Sequence, residues 1–93
     1  MKDPTFGQRF LVAVRAAGHS AGPWTYAQIS RIEGAGRDGL ASELHISCAF
    51  LPPSFMALLS IADPETVGRL FVEELRRHHR EQRNMSDWDV DMD

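Results

Sequence analysis

Apolar positions along this chain recur mostly at intervals of three and four, the period of an amphipathic helix. Phe6, Phe10, Ala13, Val14 and Ala17 form one such face. Pro4 and Thr5 supply a start and Gly18 a stop, so the pattern predicts a first helix from Thr5 to about Ala17. Residues 18–24 read as a loop. Thr25 with Gln28 three residues on is a capping-box pattern, in which each side chain satisfies the other's backbone amide. A short helix from Tyr26 to Glu33 follows, burying Ile29 and Ile32. A strand is the alternative there, because Trp24, Thr25, Tyr26 and the isoleucines favour one.

Gly34, Gly36 and Gly39 mark a break. Asp38 can cap a helix from Leu40 to about Ala49, with Leu40, Leu44 and Leu51 on one side, and Pro52-Pro53 end it. Ser54 is placed to cap a very apolar segment, Phe55–Ala62. Asp63-Pro64-Glu65 then gives a cap acceptor, a proline suited to the first helical position and an acid in the first turn. Val67, Leu70, Phe71 and Leu75 continue at helical spacing, and the helix is expected to run to about Gln82. Past Leu75 the apolar face gives way to Arg76, Arg77, His78, His79, Arg80 and Arg83. The last residues, Asp87-Trp88-Asp89-Val90-Asp91-Met92-Asp93, alternate acid with apolar.

These elements predict an all-α fold. A single helical globular domain of four to five short helices, residues 1–83, is followed by a mobile acidic and aromatic tail, residues 84–93. The expected core is Phe10, Val14, Ile29, Ile32, Leu44, Phe55, Leu58, Ile61, Val67, Leu70 and Phe71.

Composition adds that 93 residues make one domain with a modest core. A lone cysteine, Cys48, permits no internal disulfide, which fits a reducing compartment. No apolar run reaches a membrane span and no signal-peptide pattern opens the chain, so a cytoplasmic location is the expectation. Arginine makes up nine of the ten basic residues, a bias common in GC-rich bacterial or phage genomes. The net charge of −3 is uneven: residues 1–83 carry ten basic and nine acidic side chains, and the tail holds four aspartates and no base. A domain that relies on phosphate contacts usually carries a clear basic excess, which this body lacks.

Candidate chemistry is thin. Gly34, Gly36 and Gly39 satisfy G-x-G-x-x-G, but the dinucleotide fingerprint needs a preceding strand and a β-α-β unit. His45 and Cys48 make half of a zinc half-site pair. No local motif joins Cys48 to a histidine as nucleophile and base. The tail aspartates lack the glycine and terminal glutamate of a calcium loop. The reading is therefore non-enzymatic, with no catalytic residue, no cofactor and no metal. The residues that stand out are those of the tail. As an extended strand, the tail presents Trp88, Val90 and Met92 on one face and aspartates on the other. That pattern suits addition to a sheet edge or filling of a basic-rimmed groove.

Thr5-Phe6-Gly7-Gln8-Arg9-Phe10 resembles the first helix of the helix-turn-helix proteins of the Xre/Cro repressor class. Pro53-Ser54 followed by Leu58, Ile61 and Ala62 resembles that class's fourth helix, and Gly22-Pro23-Trp24-Thr25-Tyr26 is similar to a longer-looped bacterial branch. The resemblance spans residues 5–63 and implies a degenerate helix-turn-helix. Ile29-Ser30-Arg31-Ile32-Glu33-Gly34 looks like the end of the class's recognition helix, but it arrives before a complete second helix. If the segment 40–51 takes that role, it brings Glu43 and His45 to a groove and no Lys or Arg, whereas base reading draws on Arg, Lys, Asn or Gln.

Two functional expectations follow. The first is a regulator that binds another protein: an anti-activator, an antitoxin-like neutraliser or a phage-encoded inhibitor of a host machine. Its contact residues are Asp87, Trp88, Asp89, Val90, Asp91, Met92 and Asp93. Its partner is a protein, in one version a nucleic-acid-binding protein with a basic surface, and a homodimer is an option. The alternative is a helix-turn-helix DNA-binding repressor with Arg31, Arg37, Arg76, Arg77, Arg80 and Arg83 on phosphates.

Overall fold

A computed structural model describes residues 3–18 and 24–91, with side chains through position 82. Its elements are α1 (Phe6–Ala16), α2 (Tyr26–Glu33), α3 (Arg37–Ser47), α4 (Pro53–Leu59) and α5 (Pro64–Asp91), with no strand among the described residues. The all-α expectation is met, and residues 26–33 are helical rather than extended.

Local chemistry explains most helix starts. Thr5 and Thr25 each form a full capping box, with Gln8 and Gln28 respectively. The Thr66 amide donates to Asp63 Oδ2 at 3.1 Å, so Asp63 caps α5 as its sequence position suggests. Two starts differ from expectation. Helix α3 begins three residues early, with Gly36 as its N-cap, and Asp38 lies inside the first turn. There it faces the helix dipole favourably without capping. Helix α4 begins at Pro53 after the extended Pro52 and ends at Leu59. Proline at the first position gives up an amide hydrogen that had no helical partner anyway.

The shift in α4 changes which residues are buried. Phe55 and Leu59, four apart, face inward. Leu58 is rotated outward, and Ile61, in the turn after the helix, is 80% exposed; both are expected in the core from the sequence, and neither lies in it. The other expected positions hold: Phe10, Val14, Ile32, Leu44, Phe55, Val67 and Phe71 are buried, and Ile29 and Leu70 are half-buried against them. Trp24, Leu11, Leu40, Cys48, Leu59, Val72 and Leu75 complete the core.

Phe71 of α5 is the hub of an aromatic cluster. Trp24 stacks on it with ring centres 5.0 Å apart, and Phe10 meets it edge-on at 5.5 Å. Phe50 and Phe55 lie 6.4 and 6.3 Å away. Trp24 Nε1 donates to Ser47 Oγ at 3.3 Å, which gives the buried indole a polar partner.

The most extensive helix pair is α1 with α5. Their close approach depends on Gly68, where an added Cβ would sit 2.5 Å from Ala13 Cβ and 2.9 Å from the Phe10 carbonyl oxygen. Helix α5 is assigned through Asp91, past the expected end near Gln82. Met92 and Asp93, and every side chain from Arg83 onward, lie outside the described residues.

Candidate functional site

The arginines expected to meet phosphates under the DNA-binding alternative lie on α2, α3 and α5, and most already have partners. Arg37 opens α3 and turns inward. Its Nη1 donates to the carbonyl oxygens of Leu59 at 2.8 Å and Ala62 at 2.7 Å, closing the end of α4. Its guanidinium also lies 4.6 Å from the centre of the Phe6 ring. Arg76 Nη2 donates to the Ala17 carbonyl at 2.9 Å and so ties the end of α1 to α5. Arg31 pairs with Glu43 at 2.9 Å, across from α2 to α3. Arg77 pairs with Glu74 one turn back on α5. Arg80 is exposed, and the Arg83 side chain lies outside the described residues. Arg76, Arg77 and Arg80 line one pocket on α5 together with Glu73 and Glu74, whereas Arg31 and Arg37 lie on α2 and α3.

Sequence reasoning also missed the role of Arg9. Its Nε and Nη2 donate to Glu65 Oε2 and Oε1 at 2.8 and 2.6 Å, a two-pronged bridge from α1 to α5 that holds the guanidinium pKa above its ordinary value. This bridge stands at the edge of a groove of about 680 Å³ along the seam of α1 and α5. Val12, Ala13, Ala16 and Ala17 make its walls, with Arg9, Glu65 and Arg69 among its charged lining. Val12 is 62% exposed, an apolar side chain held on the face of α1 that turns away from the core. The volume is that of a site able to take a few side chains.

Arg69 contributes a cation to this lining and lies within 3.5 Å of Thr66 Oγ1. Asp63, close by, has its carboxyl pKa lowered, first by the Thr66 hydroxyl and then by the Thr66 amide, with Arg69 adding a smaller effect.

Among the described residues, no group of three or more His, Cys, Asp or Glu side chains could hold a metal ion. His45 is exposed while Cys48, three residues on, is buried, so the two do not face one site. Burial raises the Cys48 thiol pKa, which opposes formation of a reactive thiolate. The glycine run 34–39 forms the turn before α3 and that helix's first turn, with no strand ahead of it. No helix among the described residues is long and apolar enough to cross a membrane.

The tail residues Asp87, Trp88, Asp89, Val90 and Asp91 are described as backbone only, within α5, and Met92 and Asp93 lie outside the described residues. Compared with known proteins, the chain matches no family model, no curated protein and no solved structure.

Proposed function

We propose that this chain is a non-enzymatic regulator that acts by binding another protein through its acidic, tryptophan-containing end. The observation that supports this reading best is how the arginines are used. Arg37 and Arg76 bond to backbone carbonyls of the chain itself, and Arg31 and Arg77 are paired with glutamates. A phosphate would compete with those contacts for the same guanidinium groups, and the tail adds four aspartates that repel nucleic acid. Aspartates interleaved with Trp88, Val90 and Met92 instead suit a basic-rimmed protein surface, where a row of carboxylates can imitate phosphates. A cytoplasmic setting, and a role as an anti-activator, an antitoxin-like neutraliser or a phage-encoded inhibitor, belong to the same proposal.

The experiment is a titration of a partner captured from the source cell against the full chain, a chain lacking residues 84–93, and Trp88→Ala. The expected result is severe loss of binding in the deletion, with Trp88→Ala accounting for much of it. Unchanged affinity in the deletion overturns the reading.

One feature favours the second reading, a DNA-binding repressor. Helix α2 of eight residues, the short turn 34–36 with two glycines, and α3 of eleven have the proportions of a helix-turn-helix unit. That reading requires one defined operator, bound far more tightly than random duplex in a gel shift at physiological salt.

A further inference from the structure

We infer that the groove between α1 and α5 receives the acidic tail of a second copy of this chain, so that two copies close into a dimer by exchanging tails. The inference rests on the reading of the tail as a binding segment and extends it to a site on the body.

Three observations converge on this occupant. The first is chemical fit. The groove is walled by Val12, Ala13, Ala16 and Ala17, and its charged lining is two arginines against one glutamate. Residues 87–93 offer the complement, three apolar side chains between four aspartates, with no base. Glu65 is held by Arg9 in a two-pronged bridge, so its charge is largely answered, and Arg69 is the cation best placed to meet an incoming carboxylate.

The second is reach. Arg69 and Trp88 lie on the same helix, which runs Pro64–Asp91. Nineteen residues separate them, about 28 Å at the 1.5 Å rise of an α-helix. While α5 keeps that course, a chain cannot lay Trp88 in its own groove, whereas a second copy can. The third is closure. Each copy carries one groove and one tail, so a two-fold arrangement fills both sites at once. In that state each tail is covered, so self-association and capture of a foreign partner compete for the same residues.

The test reads oligomeric state by sedimentation equilibrium, across concentrations up to about 100 µM. Four samples are compared: the full chain, a chain lacking 84–93, Val12→Asp, and an equimolar mixture of the last two. Val12→Asp puts a carboxylate on the groove wall at an exposed position, where the fold tolerates it; circular dichroism checks this. Arg69→Glu, on the opposite wall, provides a second groove variant should Val12→Asp lose helicity.

The full chain is expected to dimerise, and each variant alone to dissociate at least tenfold more readily. The mixture recovers association, because Val12→Asp still has a tail and the deletion still has a groove. A monomeric full chain, a deletion that dimerises like the full chain, or a mixture no more associated than its components overturns the inference. Those outcomes leave the protein-binding reading standing, since that reading is decided by titration of a foreign partner against the deletion.

Discussion

The backbone of Gly7 rests directly on that of Ile32: a Cβ on Gly7 would lie 1.7 Å from the Ile32 carbonyl oxygen. The Gly7 amide donates to the Ala35 carbonyl at 3.0 Å, and Thr5 Oγ1 donates to the Glu33 carbonyl beside it. The first turn of α1 is therefore docked on the end of α2 through backbone contacts that only glycine permits. In an ordinary helix, Gly→Ala stabilises by about 0.5–1 kcal/mol. Here the sign inverts. Gly7→Ala is expected to destabilise by about 3 kcal/mol, because main chain rather than a flexible side chain must move aside. Urea denaturation of the two proteins checks the sign.

Gly36 is the contrasting case. An added Cβ there meets nothing within 4 Å, and the residue is the N-cap of α3 with no side-chain cap bond. Gly36→Asp supplies the missing acceptor and narrows the unfolded ensemble. The expected gain is about 0.5–1 kcal/mol, read as a higher denaturation midpoint.

Arg37 separates a structural arginine from a phosphate-binding one. Losing its two bonds to the Leu59 and Ala62 carbonyls leaves the end of α4 open. Hydrogen bonds to a charged group contribute about 1.5–3 kcal/mol, so Arg37→Ala is expected to destabilise by about 2 kcal/mol. Arg37→Lys keeps the charge but loses the planar fork, and is expected to recover only part of this. A side chain that serves DNA alone would leave the melting temperature of the free protein unchanged on substitution, and that result would sink the assignment.

Phe71 touches four aromatic rings and is fully buried. Phe71→Ala removes the centre of that cluster and is expected to cost about 3–5 kcal/mol, much of a small domain's stability. Trp24 offers a direct optical check. Its stacked indole should move to longer-wavelength emission in the variant, read with Trp88→Phe as background so that Trp24 alone reports.

The burial of Phe71 was legible in the sequence because Val67, Phe71 and Leu75 repeat at helical spacing, whereas its place at the centre of four rings was not. The burial of Trp24 was harder to see, since it stands in a loop. A signal was present nonetheless: an apolar residue just before the Thr25 cap, with Ile29 at the fourth helical position, is the staple pattern that draws such a residue inward. Leu58 and Ile61 were misplaced because the start of α4 sets which residues face the core. Beginning at Pro53 selects Phe55 and Leu59. The inward turn of Arg37 and the α1–α5 groove had no sequence signal. The first depends on where α4 ends in space. The second depends on Gly68 letting two helices approach while Val12 stays outside.

Asp63 gives the acid limb of stability. Its carboxylate accepts from the Thr66 amide and hydroxyl at the start of α5, and both bonds lower its pKa from the ordinary aspartate value. A group held lower in the folded state than in the unfolded chain stabilises fully above its unfolded pKa, about 3.9. That contribution is lost as pH falls through the lower folded value. Stability should therefore show no Asp63-linked change between about pH 5 and 8 and should decline below about pH 4. Asp63→Asn isolates the effect, because asparagine still caps the helix but does not titrate. Subtracting the variant's stability from that of the parent protein at each pH removes the other carboxylates, Glu65 beside Arg9 included. The difference should be level near neutrality and fall as the solution is acidified from pH 4 to pH 2. A difference that stays constant over that range would mean that the hydrogen bonds to Thr66 do not discriminate between the charged and neutral carboxyl.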